Sequence, residues 1–258
     1  MIRLTYLLRR KPGMSLESFQ DYWRLEHGPL VAGHAGRLDL LAYVQVHTIP
    51  DEDHGRLTGR RGEMEPPYDG VSEMWWESRE ALAAATRSES GQVADHELIA
   101  DERSFIDVEN SPMWFNYEYP QVNPTPENIV ATDRSSLVKL YFPLRHRPDL
   151  TLDSAQLYWR THHGPIIRRQ AAGSGILRYV QVHRAEPELT ESMRTSRRST
   201  AEVYTGHAEV WMDRAAMGRS TPERRVAARR AYEDEANFID FARSSMWLGK
   251  EQVFVDRR

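Results

Sequence analysis

The chain has 258 residues, 40% hydrophobic and 28% charged, with 15 Gly and 14 Pro, a composition that excludes collagenous, low-complexity and disordered classes. Its 34 Lys and Arg stand against 38 Asp and Glu, a formal charge of −4 without the basic excess of a nucleic-acid binder. With no cysteine, disulfides, thiolate nucleophiles and Cys-ligated metal centres are excluded together.

The opening MIRLTYLLRR carries a short apolar run interrupted by Arg and no small-residue cleavage site, and no stretch of about 18 apolar residues occurs, so a soluble cytoplasmic protein with no membrane partner is expected. Residues 3–9 read as a strand that ends in the Pro12-Gly13 turn. Ser15 is a natural N-cap with Glu17 in the first turn; Leu16, Phe19, Trp23 and His27 then share one helical face, and Gly28-Pro29 is expected to stop the helix. Residues 40–48 form a second strand, 49–67 a polar loop, 70–77 a third strand, 79–106 one or two helices and 113–119 a fourth strand. The order is βαββαβ, a four-stranded antiparallel sheet with two helices on one face.

The same order returns. Tyr-Trp-Arg-Leu-Glu-His-Gly-Pro at 22–29 reappears as Tyr-Trp-Arg-Thr-His-His-Gly-Pro at 158–165, and Tyr-Val-Gln-Val-His at 43–47 reappears at 179–183, both at an offset of 136. Aligned without a gap, residues 3–47 and 139–183 are identical at 20 of 45 positions, where composition alone gives about 3. The offset also pairs Tyr68 with Tyr204, Glu73 with Glu209 and Trp75 with Trp211; past a three-residue deletion, Asp101 pairs with Asp234 and Trp114 with Trp247. The chain therefore divides into a first repeat at 1–118, a linker at 119–135 whose prolines suit an extended connector, and a second repeat at 136–258. The predicted fold is α+β: two ferredoxin-like βαββαβ repeats forming an intrachain pseudo-dimeric α/β barrel.

Period-two alternation says what faces the inside of that barrel. In the third strand Glu73 and Trp75 (Glu209 and Trp211) share one face. In the second, Tyr43, Gln45 and His47 (Tyr179, Gln181 and His183) share a face opposite to the valines, which suit the helix-covered core. Both polar-aromatic sets are expected on the open face, where pairing of the repeats would bury them as the lining of a ligand cavity inside the barrel.

The Tyr-Trp-Arg-x-x-His-Gly-Pro helix, the Tyr-Val-Gln-Val-His strand and the Glu-Met-Trp-Trp strand resemble the EthD domain of the dimeric α/β-barrel superfamily, and the resemblance spans both copies. It implies a small-molecule protein: EthD-like members include proteins assigned as decarboxylases, dehydratases or cyclases of polyketide-type aromatics, and superfamily relatives include cofactor-free monooxygenases, muconolactone isomerases and haem enzymes. A cofactor-independent enzyme follows as the expectation, without metal, performing dehydration, decarboxylation, cyclisation or isomerisation on a small aromatic or polyketide-like metabolite. A cofactor-free monooxygenase and a non-catalytic metabolite-binding module are the alternatives.

Acid–base work falls to the repeated ionisable residues: His47, His183, His27 and His163 as proton shuttles, Glu73 and Glu209 as the repeated carboxylates of the strand face. Burial beside Trp75 or Trp211 would raise the carboxyl pKa, whereas an ion pair with Arg24 or Arg160 would lower it. Tyr43, Tyr179, Gln45 and Gln181 suit a phenolate or carbonyl oxygen, and Tyr22, Tyr158, Trp75, Trp211, Arg24 and Arg160 complete the candidate substrate-binding set. The internal duplication closes a barrel within one chain, so a monomer or a homodimer is expected.

Overall fold

The computed structural model describes residues 1–50, 54–125, 128–217, 219 and 221–258. The N-terminal half runs β1 (Ile2–Leu8), α1 (Leu16–Tyr22), a wide helical turn at Trp23–His27, α2 (Gly28–His34), β2 (Ala42–Thr48), α3 (His54–Thr58), β3 (Gly70–Trp76), α4 (Arg79–Arg87), α5 (Glu89–Phe105) and β4 (Met113–Val122). The C-terminal half runs β5 (Leu137–His146), α6 (Leu152–Tyr158), a second wide turn at Trp159–His163, α7 (Gly164–Ser174), β6 (Ile176–Arg184), α8 (Pro187–Arg197), β7 (Gly206–Asp213), α9 (Arg214–Met217), α10 (Pro222–Glu235), the short β8 (Ile239–Asp240) and β9 (Trp247–Asp256). Among the described residues no helix is long and apolar enough to cross a membrane.

Eight strands close into an antiparallel barrel in the order β7-β6-β4-β1-β3-β2-β9-β5, with β5 pairing β7 to complete the ring and β8 added beside the end of β5. Each half contributes the strand order fourth-first-third-second, and the seams between halves are β4 with β6 and β2 with β9. β4 continues past Tyr119 to Val122, so the first residues of the expected linker are strand residues hydrogen-bonded to the other half. Both faces of β1, β2 and β3 are buried along their whole length, one by the lumen and one by helices.

Ser15 Oγ accepts from the Ser18 N–H and starts α1, as its position suggests. Gly28-Pro29 does not stop the helix. The Gly28 N–H bonds back to the Trp23 carbonyl, five residues away, and this widened turn accommodates the proline that lacks a donor of its own, after which α2 continues; Gly164-Pro165 repeats the device. Gly28 and Gly164 are required for another reason: a Cβ at Gly28 would sit 2.3 Å from the Phe254 ring, and one at Gly164 2.4 Å from the Gln121 side chain, both reaching across a seam.

The loop between β6 and β7 contains the 11-residue α8, and the stretch at 49–67 expected as a polar loop contains α3. Both long loops between second and third strands cross to the opposite half. Arg61 pairs with Glu235, and Arg197 pairs with Glu102 and Asp95.

Candidate functional site

Strand register decides which side chains enter the barrel. Val44 lies opposite Glu73, Tyr43 opposite Met74 and Gln45 opposite Ser72, and directly opposed residues share a face. Glu73 and Trp75 face the lumen as expected, but Tyr43, Gln45 and His47 face the helices. The same holds for Tyr179, Gln181 and His183, since Val180 lies opposite Glu209. The placement of both sets on one face is thus corrected.

The lumen is a packed ionic core. Arg3 and Lys139, at the same position of the two repeats, are fully buried beside four carboxylates. Arg3 is 2.6 Å from Glu73 and 2.8 Å from Glu118, Lys139 is 2.8 Å from Glu73, 3.2 Å from Glu209 and 3.3 Å from Glu251, and Arg3 also contacts Glu209. The Trp75 and Trp211 indoles donate to Glu118 and Glu251 at 2.8 Å. Burial, opposed by Arg3 and Lys139, pushes Glu73 up to about 8; burial also acts against ionisation of Glu209, but the same two cations outweigh it and hold that carboxyl low. The partners of these glutamates are therefore Arg3 and Lys139. Arg24 pairs instead with Asp21 on the surface, and Arg160 lies over the Tyr119 ring.

His47 and His183 are not placed for proton transfer in the lumen. Each packs on a helix tryptophan with ring centroids 4.6 Å apart, His183 stacked on Trp159 and His47 tilted against Trp23, and bonds a glutamine, Gln45 at 2.8 Å and Gln181 at 3.2 Å. The glutamines in turn donate to the Trp23 and Trp159 carbonyls. Burial pushes both imidazoles down to about 3, which keeps them neutral struts of the helix–sheet layer.

A cavity opens in that layer in the C-terminal half. It has a volume of about 310 Å³ and sits between α7, α10 and the outer face of β5, β6 and β7, at the small end of ligand pockets. Its walls are largely aliphatic and aromatic, among them Phe142, Trp159, Ile167, Val210 and Met212; Leu57 and Arg61 close it from the opposite half.

The polar residues of the lining are Arg61, His163, Gln170, Ser174, Tyr179, Asp213, Arg224 and Glu235. His163 lines the cavity, and its Nδ1 lies 2.7 Å from Asp234, which also accepts from the Tyr158 hydroxyl at 2.9 Å. Asp234 resists protonation: burial raises its pKa, but the hydrogen bonds from His163 and Tyr158 outweigh this and leave it lowered. With Nδ1–H committed to the carboxylate, the basic nitrogen of the neutral ring is Nε2. Tyr179 also lines the cavity, and its hydroxyl accepts from Trp159 Nε1 at 3.0 Å and Gln181 Nε2 at 3.2 Å, which leaves its own O–H to donate. Burial raises the Tyr179 pKa, so that proton stays in place. Glu235 is held by Arg61 in a two-pronged pair, Nε to Oε2 at 2.7 Å and Nη2 to Oε1 at 2.9 Å.

Of the residues singled out from sequence, the cavity gathers His163 and Tyr179, with Tyr158 and Gln181 behind them; His27, Tyr22 and Tyr43 form the matching set in the N-terminal half, with Asp101 at 2.6 Å from both His27 and Tyr22. Glu73, Glu209, Trp75 and Trp211 belong to the lumen. Asp234, Glu235, Arg61 and Ser174 are missed by sequence reasoning, although the repetition of Asp101 as Asp234 signals the first of them. Among the described residues no group of three or more His, Asp or Glu side chains is arranged as a metal site.

The EthD domain profile matches this chain twice, at residues 11–109 and 147–242, each segment carrying one His–Asp–Tyr set. The chain belongs to the EthD family. No curated protein sequence matches it. Among solved structures, the EthD chain is similar in fold to a candidate monooxygenase of Fusobacterium nucleatum, at 9% identity and a TM-score of 0.50 over 98% of this chain and 93% of that one. A candidate monooxygenase of Lactobacillus acidophilus aligns at 7% identity and a TM-score of 0.47 over 99% and 95%. An EthD (ethyl tert-butyl ether) family protein of Bacillus halodurans aligns at 18% identity and a TM-score of 0.33, covering 46% of this chain and 99% of that one.

Proposed function

We propose that the cavity of the C-terminal half is the active site of a cofactor-independent enzyme that performs acid–base chemistry on a small aromatic or polyketide-like metabolite. The observation that carries this reading is the imidazole on a largely apolar wall, His163, with its Nδ1 bonded to Asp234, whose other oxygen accepts from Tyr158. His163 Nε2 takes the proton adjacent to a substrate carbonyl, and Asp234 stabilises the imidazolium that results. The Tyr179 hydroxyl donates to the oxygen on which negative charge develops. His163 then returns the proton to carbon or to a leaving hydroxyl, which covers isomerisation, cyclisation and dehydration with one set of groups; decarboxylation uses the same enolate and a final protonation. The two sequence repeats, 1–118 and 136–258 joined at 119–135, are read as two ferredoxin-like units, of which the second holds the site.

Turnover of a panel of anthrones, lactones and β-keto acids, followed by mass spectrometry, tests this. Loss of water, loss of carbon dioxide, gain of one oxygen or an unchanged mass names the reaction. His163→Ala is expected to lower kcat by about 10²–10⁴ with substrate binding retained, and His27→Ala to leave kcat unchanged. Equal turnover by wild type and His163→Ala rejects the assignment; binding without product in any protein makes the chain a metabolite-binding module.

A further inference from the structure

The two halves build the same layer from different side chains, and the difference describes the ligand. Trp76 on β3 and Met212 on β7 hold the same place: Trp76 lies opposite Ile2 and Met212 opposite Val138, at equivalent positions of β1 and β5. In the N-terminal half the Trp76 indole is buried against Phe115, with centroids 6.1 Å apart, and its Nε1 donates to the Leu38 carbonyl at 2.8 Å. In the C-terminal half every part of that arrangement is cut back. Met212 replaces the indole, Leu248 replaces Phe115, Ser174 replaces Leu38 and Ala231 replaces Leu98. The room so vacated is the cavity, lined by Met212, Ser174 and Ala231, and the Ser174 hydroxyl is buried without a partner among the described residues.

We infer that the C-terminal cavity takes a planar, fused two-ring aromatic bearing one hydroxyl or ring N–H, seated where Trp76 sits in the other half, with that donor directed to Ser174. The fold has already packed one such group in this layer, and the buried polar atom left over in the emptied copy lies at the residue whose carbonyl receives the indole N–H in the filled one. An unpaired buried hydroxyl is costly, and a ligand O–H or N–H donating to the Ser174 oxygen removes that cost. Met212 and Ser174 thereby become the residues that set ligand size and orientation.

The inference rests on the cavity being the active site, and equilibrium binding tests it without requiring turnover. Phenol, 2-naphthol, 2-methoxynaphthalene and anthrone are titrated into the full chain by calorimetry. One equivalent of 2-naphthol is expected to bind at least tenfold more tightly than phenol or anthrone, and 2-methoxynaphthalene, which cannot donate, about tenfold more weakly than 2-naphthol. Met212→Trp and Ser174→Leu, which restore the residues of the filled half, are each expected to weaken 2-naphthol at least tenfold without lowering Tm. Should Met212→Trp fail to fold, Ser174→Leu carries the test. Phenol or anthrone binding as tightly as 2-naphthol overturns the two-ring assignment, as does undiminished binding by the folded variants. If 2-naphthol binds as described while His163→Ala leaves turnover intact, the acid–base reading alone falls; if His163 proves essential for a substrate that is not a two-ring aromatic, this inference alone falls.

Discussion

The helix–sheet layers of the two halves share their framework and differ in what fills it. Both keep the widened helical turn, the Trp–His–Gln–Tyr chain behind the second strand, and the His–Asp–Tyr set at the helix end. The N-terminal layer is then filled by Tyr6, Leu38, Trp76, Leu98 and Phe115 in one contiguous cluster, whereas Phe142, Ser174, Met212 and Ala231 line an open cavity in the C-terminal layer. A cavity has been made here by subtraction from a packed core, with the His–Asp–Tyr set present in both copies and open volume beside the C-terminal one. The presence of a His–Asp pair therefore does not distinguish the two halves; the volume beside it does.

The largest expected effect comes from attacking the filled half. Trp76→Ala should cost about 3–5 kcal/mol in denaturant unfolding, because it empties a close-packed layer, whereas Met212→Ala, beside an existing cavity, should cost less than half as much. Equal costs would show that the two layers are equally packed and break the comparison. Next come the two crossing ion pairs. Arg197→Met strands Glu102, which is 3% exposed, and should cost about 3–5 kcal/mol; Arg61→Met strands Glu235, which is 6% exposed but lines the cavity and has open volume to turn into, and should cost about 1–3 kcal/mol. A larger loss from Arg61→Met would mean that the strap at Leu57 and Arg61, and not α10, holds the cavity shut.

The smallest effect is one of pH. His47 and His183, held at about 3 in the folded protein, have an ordinary value near 6.5, so the unfolded chain binds more protons between these limits. Stability tied to the neutral rings is complete above pH about 6.5 and is lost as pH falls toward 3. Tm measured from pH 7 to 4 should fall less steeply in His47→Gln and in His183→Gln than in wild type. As the struts are duplicated, the two variants should flatten the curve by similar amounts, and a one-sided effect would show that the halves differ here as well.

The repeat, the succession of strands and helices along the chain and the lumen position of Glu73 and Trp75 were legible because each depends on local pattern or on internal duplication. The face of Tyr43, Gln45 and His47 was not. Alternation states that these three share a face, but which face depends on the pairing of Val44 with Glu73, and the loop of about 20 residues between the two strands hides that register. Their polarity pointed to the lumen, whereas their partners are a helix carbonyl and an indole ring that only tertiary packing supplies. Arg3 and Lys139 were legible as strand residues yet not as the counter-ions of Glu73 and Glu209. Arg61 and Glu235 are 174 residues apart, and no spacing rule joins them.

The seams of the barrel set the order in which it can be made. Residues 42–48 of β2 pair with residues 249–256 of β9, so the ring cannot close until nearly the whole chain has been synthesised. Contacts this distant in sequence slow folding, because the intervening chain must be ordered before they form. Until then β2 and β4 are exposed edges with free backbone donors and acceptors, each complementary to an edge of a second nascent chain as well as to its own C-terminal half. Exchange of halves between two copies is the misassembly this architecture must avoid, and the short connection that tethers the halves favours the intrachain partner by raising its local concentration.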